Sequence, residues 1–284
     1  METKNSLGGK IAVVTGSSRG IGRGIALTLG AQGAIVYVTG RSQAEGDHSL
    51  PGTIHATAEA ITAAGGVGIA VACDHGDDAQ VAALFARIGE EHGRIDLLVN
   101  NAAYIPVECL NPPPFWTKPV KLADQITVGL RSAYVSTYYA APLLIAASNA
   151  LVINISYYGA VSYHLDPAYG ATKGGLDKMT SDMAKDFEPF GVSVMSVWPG
   201  PTLTEMAVSL LSQIPDSATM MESFETPEFS GRVVASLYND PDRRTKSGTV
   251  VIGAEAALEY QFTDINGKQP PVLRDALGSP LPFA

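Results

Sequence analysis

The stretch TGSSRGIG (15–22) spaces three glycines, Gly16, Gly20 and Gly22, as G-x-x-x-G-x-G. It stands between a β-branched run, IAVVT (11–15), and a helical pattern in which Ile21, Ile25 and Leu29 recur at steps of four. Gly16 permits a tight turn out of the strand, Gly20 lets the backbone come close to a pyrophosphate, and Gly22 lets helix and strand pack together. The first N–H groups of the helix then meet the anion at the positive end of the helix dipole. Ser18, Arg19 and Ile21 belong to the same loop. A glycine triplet alone also serves ordinary turns. Its place inside a βαβ unit of roughly thirty residues is what makes it a nucleotide-phosphate loop.

Outward from that loop, short apolar runs alternate with helical spacing along the chain. IAVVT (11–15), AIVYVT (34–39), VGIAVACD (67–74), IDLLVN (95–100), LVINIS (151–156), VSVMSV (192–197) and GTVVIG (248–253) predict seven strands. Most are nearly continuous hydrophobic runs, as expected of strands buried on both faces of a parallel sheet. Gly33 is a plausible stop for the first helix. The expected fold is α/β: a single doubly wound, Rossmann-type domain over residues 1–284, its parallel sheet flanked by helices on both faces. Two segments read as insertions, 104–121, too rich in proline for a regular element, and 202–229. Both follow C-terminal ends of strands, where such folds bind ligands, so they are expected as loops or a lid over a site.

Composition narrows the function. The chain has 284 residues, 46% hydrophobic and 17% charged, with 19 basic against 28 acidic residues and a net charge of −9. No long block of Lys and Arg is present, which argues against nucleic acid as a partner and for small molecules. Cys73 and Cys109 lack metal-site spacing and read as ordinary reduced thiols. METKNSLGGK (1–10) lacks the apolar stretch of a signal peptide, and no apolar run is long enough to cross a bilayer, so a cytoplasmic protein without a membrane partner is the default expectation.

Specificity within the nucleotide class is read at the end of the second strand. An acidic residue there would grip the free ribose hydroxyls of NAD. Here the text is VTGRS, with Gly40 where the acid belongs and Arg41 after it. Arg19 supplies a second cation, and two guanidinium groups converging on the ribose favour a 2′-phosphate, hence NADP(H) over NAD(H). Asp74 could accept a hydrogen bond from the adenine amino group, or cap a helix.

In DPAYGATKGG (166–175), Tyr169 and Lys173 stand four residues apart and share one helix face. By itself such a pair is most often a surface accident.

Together with TGSSRGIG (15–22), NNAA (100–103), Ser156, YGATK (169–173) and PGPTLT (199–204), in that order, the pair makes the chain resemble the short-chain dehydrogenase/reductase family over nearly its whole length. The resemblance implies strand order 3-2-1-4-5-6-7, a nicotinamide cofactor and a catalytic set of Ser156, Tyr169 and Lys173. Tyr169 would act as acid/base, its phenol drawn down by Lys173 and the nicotinamide charge. Ser156 would hold the substrate oxygen. Lys173 would also bind the ribose hydroxyls. Asn100 and Ala102 look like the turn that floors the nicotinamide site, and Asn100 reads equally as structural. Pro199, Gly200, Thr202 and Thr204 resemble the loop that meets the carboxamide and pyrophosphate, and the Pro and Gly also suit a simple turn. A homo-tetramer or homo-dimer through helices near 121–145 and 169–188 is likewise implied.

One departure stands out. Relatives carry Asn in a V-N-L-x-G pattern, where it helps a water connect the lysine to solvent, and this chain reads VGLRS (128–132), with Gly129 in that place. The expectation is a reductase or dehydrogenase acting on a carbonyl or secondary alcohol, with Tyr157, Tyr158, Tyr163, Phe115, Trp116, Met206 and Phe224 as pocket candidates and His164 and Asp166 as ordinary loop residues. The alternatives are a nucleotide-binding sensor or scaffold with little turnover, or an isomerase or dehydratase that uses the cofactor transiently.

Overall fold

Each of the apolar runs becomes a strand: β1 (Ile11–Val14), β2 (Ile35–Gly40), β3 (Val67–Ala72), β4 (Leu97–Asn100), β5 (Leu151–Ile155), β6 (Ser193–Trp198) and β7 (Val250–Ile252). All pair in parallel, in the order β3-β2-β1-β4-β5-β6-β7. The computed structural model describes residues 6–110 and 113–283. Residues 1–5, half of the METKNSLGGK segment, lie outside the described residues, as do 111–112 of the 104–121 insertion and 284.

Five of the longer helices between the strands are α1 (Gly20–Ala31), α2 (Ile54–Ala63), α3 (Asp78–His92), α4 (Ser132–Ala146) and α5 (Pro167–Phe187). Three of these five start at a side-chain cap. Thr53 accepts from the Ala56 N–H at the head of α2, and Asp77 accepts from Ala79 and Gln80 at the head of α3. Asp166 caps α5, with Pro167 in the first position where its missing N–H costs nothing. Gly33, at φ +90°, follows the last turn of α1, as the sequence suggests. Beyond β6 come α6 (Glu205–Leu211), α7 (Ser217–Met221), α8 (Pro227–Asn239), α9 (Gly253–Glu259) and α10 (Arg274–Leu277).

Both faces of the sheet are covered. Ile25, Leu29, Val36, Phe229 and Val233 pack in one buried cluster, with α1 and α8 over it, and Leu84, Phe85, Ile88, Leu144, Val152 and Phe187 in another beneath α3, α4 and α5. Burial on both sides explains why the strands read as continuous apolar runs. Connections from β1 and β4 leave to opposite sides, so a crevice opens at their C-terminal ends.

The two expected insertions border that crevice. Segment 104–121 contains tight 3₁₀ turns at Val107–Leu110 and Phe115–Thr117, and a third, Val120–Ala123, begins inside it. Segment 202–229 carries α6, α7 and the start of α8. Its ends are tied together: the Leu203 N–H donates to the Glu225 carbonyl and the Glu225 N–H to the Pro201 carbonyl, both at 2.8 Å. Gly129 lies in a π-helical stretch, Ile126–Arg131, that leads into α4. Among the described residues, no helix is long and apolar enough to cross a membrane.

Candidate active site

The phosphate loop is held from below by β4 and its turn. The Thr15 hydroxyl accepts from the Asn101 and Ala102 N–H groups, each at 2.9 Å, and the Asn101 amide donates to the Thr15 and Gly16 carbonyls at 2.9 and 3.0 Å. Gly16 has φ +65°, and a Cβ there would lie 2.8 Å from the Ala102 Cα, so the turn excludes any side chain. Asn101, missed by sequence reasoning, braces the loop; NNAA does not reveal which asparagine faces it. Asn100 faces the core and donates to Thr137 at 3.0 Å and to Asn154 at 2.9 Å, a structural position.

At the head of α1 the chain leaves the helix dipole open. Arg19 has extended backbone and gives no side-chain cap, and the first turn contains no acid. The Gly20 N–H instead donates to the Glu205 carboxylate at 2.8 Å. Thr204 caps α6, its hydroxyl accepting from Ala207 at 3.2 Å, and thereby sets Glu205 over the loop. A side-chain-free turn and a helix N-terminus that attracts an anion fit a dinucleotide pyrophosphate.

At the adenosine end, Gly40 closes β2 without an acid. Arg41 lies 3.8 Å from Asp74, and Asp74 also accepts from the Gly76 N–H at 2.9 Å. Because β3 stops at Ala72, Asp74 sits two residues past the strand instead of closing it. Arg19 is partly committed: Nε donates to the Pro51 carbonyl at 3.0 Å, and Nη2 to Ser42 and the Gly52 carbonyl at 2.9 and 2.7 Å. It therefore anchors the 42–52 loop as well as facing the crevice. Both guanidiniums border His48, whose imidazole is lowered by burial, then by Arg19 and Arg41.

On α5, Asp166 places Tyr169 in the first turn by accepting its N–H at 2.9 Å, while its other oxygen accepts from Gln125 at 2.8 Å. Asp166 is thus the helix cap. Tyr169 and Lys173 are each 7% exposed, with Lys173 Nζ 5.4 Å from the Tyr169 ring centre and donating to the Ile155 carbonyl at 2.9 Å. One turn further, Asp177 accepts from Ser196 at 2.8 Å and from Trp198 Nε1 at 3.0 Å. Burial lowers Lys173 to about 8, the Asp177 charge opposing, and raises Asp177 to about 6, opposed by hydrogen bonds from Ser196, Ser156 and Trp198 and then by the Lys173 charge. YGATKGGLD contains Asp177 at the next step of four, the one sequence signal that could have found it.

One expectation changes here. The Tyr169 phenol is not drawn down by the chain's own groups: burial pushes it well above the ordinary phenol value, and Tyr157 and Cys109 add to the rise. The Ser156 hydroxyl, 1% exposed, faces α5 and donates to the Lys173 backbone carbonyl at 3.1 Å.

The rings beside Tyr169 are Tyr157, at 6.4 Å between centres, and His164, at 5.9 Å, with Tyr157 and His164 4.9 Å apart. Tyr158 is no pocket residue: it is 1% exposed and packs on Trp198 in a separate core cluster with Ile252. Tyr163, Phe115 and Trp116 are 80%, 57% and 73% exposed, so any contact with a ligand would be at the rim. Met206 and Phe224 are half-buried on the 202–229 segment.

After β6, Pro199 and Gly200 are buried, and the Thr202 hydroxyl donates to the Gly200 carbonyl at 2.9 Å. Beneath them lies Glu225, 1% exposed, with neither oxygen in a close, well-directed hydrogen bond. Burial raises its carboxyl to about 8, a neighbouring Gly200 N–H opposing the rise and Asp264 adding to it.

A family model described as short chain dehydrogenase matches residues 10–215. The chain is 36% identical over 273 residues to dehydrogenase/reductase SDR family member 1 of Mus musculus, covering 92% of this chain and 84% of that protein. It is 32% identical over 222 residues to L-fucose dehydrogenase of Bos taurus, covering 75% and 74%. Among solved structures, a short chain dehydrogenase of Mycobacterium thermoresistibile superposes with TM-score 0.78 at 27% identity, over 94% of this chain and 95% of that one.

Proposed function

The chain belongs to the short chain dehydrogenase family, whose members are NAD(P)-dependent oxidoreductases, and from that premise we propose that it moves a hydride between NADP(H) and a carbonyl or secondary alcohol of a small to medium, fairly apolar substrate. The observation that supports this reading is the buried Tyr169–Lys173 pair on one face of α5, against the end of β5. A phenol held neutral by burial is a proton donor suited to the reductive direction.

Gly16, Ser18, Arg19, Gly20, Ile21 and Gly22 would hold the pyrophosphate, and Arg41 with Arg19 the 2′-phosphate. Asp74 would take the adenine amino group. Ala102 would floor the nicotinamide, with Asn100 supporting it from the core. Pro199, Gly200, Thr202 and Thr204 would meet the carboxamide and pyrophosphate. When bound, the nicotinamide supplies or accepts the hydride. Tyr169 gives its proton to the substrate oxygen. Lys173 has three N–H donors, of which one is engaged by Ile155; the other two suit ribose hydroxyls, and its positive charge stabilises the phenolate left behind. We also read residues 1–284 as one domain, with 104–121 and 202–229 bordering the substrate, in a homo-dimer or homo-tetramer.

The test is NADPH consumption against a broad panel of aldehydes and ketones. Tyr169→Phe is expected to lower turnover by about 10²–10⁴-fold while leaving NADPH binding intact. NADPH binding with no Tyr169-dependent turnover would instead favour a sensor or scaffold. Product formed without net change in cofactor absorbance would favour an isomerase or dehydratase.

A further inference from the structure

Moving an ammonium or a carboxylate out of water is costly, and a buried ion persists only where an opposite charge and hydrogen bonds hold it. Lys173 and Asp177 are 7% and 3% exposed, and their spacing along α5 puts them on one helix face. Each also grips the sheet. Lys173 Nζ donates to the Ile155 carbonyl at 2.9 Å, at the end of β5. The Asp177 carboxylate accepts from Ser196 Oγ at 2.8 Å and from Trp198 Nε1 at 3.0 Å, both on β6. Ser156, just past β5, is in hydrogen-bond contact with the Asp177 carboxylate and with the Lys173 carbonyl. Among the described residues, the acid whose charge acts on Lys173 is Asp177, and the cation whose charge acts on Asp177 is Lys173. Tyr169 is kept neutral by burial, as are Tyr157 and Cys109, which face it. Ser196 and Trp198 on β6, and Gly129 and Leu130 on the π-helical stretch against α5, bring no charge.

We propose that Asp177 is the counter-ion of Lys173, a positioning residue fixed by Ser156, Ser196 and Trp198 that keeps the lysine an ammonium beside Tyr169; this rests on the oxidoreductase reading above. Burial works to strip Lys173 of its proton, and the Asp177 charge opposes that loss. The opposition matters for the reaction, because a neutral amine cannot stabilise the phenolate that Tyr169 becomes on giving up its proton. Asp177 acts through its charge, one helical turn away, so the N–H donors of Lys173 stay directed at the Ile155 carbonyl and the cofactor side. Gly129 brings no side chain to this place from the π-helical stretch, and the electrostatic support for Lys173 comes from within α5 instead.

The test is the pH profile of kcat/KM at saturating NADPH, for the wild type, Asp177→Asn and Asp177→Glu in the full chain, with a carbonyl substrate from the panel. Asp177→Asn keeps an acceptor for Ser196 and Trp198 and removes the charge. With burial unopposed, Lys173 loses its proton at lower pH, so the alkaline limb of the profile should move down by about one pH unit. Asp177→Glu, which restores the charge, should return the limb to its wild-type position. A purely structural Asp177 would scale the whole profile and leave the limb of Asp177→Asn in place, and that result would overturn the proposal; an inactive Tyr169→Phe beside it would leave the oxidoreductase reading standing. If Asp177→Asn fails to fold, NMR of the wild type carrying carbon-13 at the lysine Cε decides. The Lys173 signal, assigned by its absence from Lys173→Arg, should move as Asp177 takes up a proton near pH 6 and again as Lys173 itself titrates near pH 8. A signal that stays constant between about pH 5 and 7 would overturn the pairing whatever the activity. A wild-type chain that reduces nothing in the panel would remove the oxidoreductase reading and the proposal with it.

Discussion

The Glu205 carboxylate sits on the Gly20 N–H at 2.8 Å, across 185 residues of sequence, at the point where α1 offers its positive end. A carboxylate is stabilised there for the same reason a phosphate is. The contact also joins the 202–229 segment to the phosphate loop, since Thr204 caps α6 immediately before Glu205. On the proposed reading, the cofactor pyrophosphate would compete with the segment for this one donor.

Glu205→Gln removes the negative charge while keeping the side chain's shape. Cofactor affinity should tighten by about threefold to tenfold, most at low ionic strength. Fluorescence titration with NADPH at two salt concentrations measures it; affinity that is unchanged or weaker would show that Glu205 does not oppose the pyrophosphate.

Discrimination between the dinucleotides should reside in Arg41. It is exposed, and its partner Asp74 stands at 3.8 Å, a pairing worth little in solvent. Arg41→Ala should raise the Kd for NADPH by about 10- to 100-fold and leave NADH nearly unaffected. Gly40→Asp, where a Cβ meets Ile54 Cγ2 at 3.4 Å and the Ser18 side chain at 3.8 Å, should fit and shift preference toward NADH. Equal losses for both cofactors with Arg41→Ala would contradict the reading.

Glu225 makes stability depend on pH in a sense opposite to a salt-bridged acid. Burial raises its carboxyl from 4.5 to about 8, so the folded chain keeps a proton that the unfolded chain releases between those values. Stability contributed by the neutral acid is complete at low pH and declines as pH rises through that window. Glu225→Gln does not titrate. It should therefore gain on the wild type as pH increases, on the order of 3 kcal/mol by pH ~9, in urea unfolding across pH 5–9. A difference that does not vary with pH would place the native carboxyl at an ordinary value.

The sheet was legible because strands buried on both faces carry their signature locally, as the IAVVT and LVINIS runs do. The loop and the Tyr169–Lys173 pair were legible for a related reason: turn chemistry and helix periodicity span only a few residues. What escaped depends on contacts between distant segments. Asn101 braces Thr15 across 86 residues, and Glu225 reaches Gly200 only because the 202–229 segment closes on itself.

Gly129 has a packing reason. A Cβ there would lie 2.6 Å from Thr172 Cγ2, so the π-helical stretch and α5 approach more closely than a side chain allows, next to Lys173. Thr172 cannot simply rotate away, because its hydroxyl donates to the Ala168 carbonyl at 2.8 Å. Gly129→Ala should gain helix propensity of about 1 kcal/mol yet lose more by overpacking, for a net destabilisation of about 1–2 kcal/mol. Thr172→Ser deletes the clashing methyl and keeps the hydroxyl. Combined with Gly129→Ala it should restore most of the loss, a coupling readable by urea unfolding in a double-mutant cycle. Gly129→Asn, longer still, should need the same relief and should disturb Lys173 through the neighbouring turn. Additive single-mutant effects would mean that the π-helical stretch yields and that the approach to α5 is not what demands glycine.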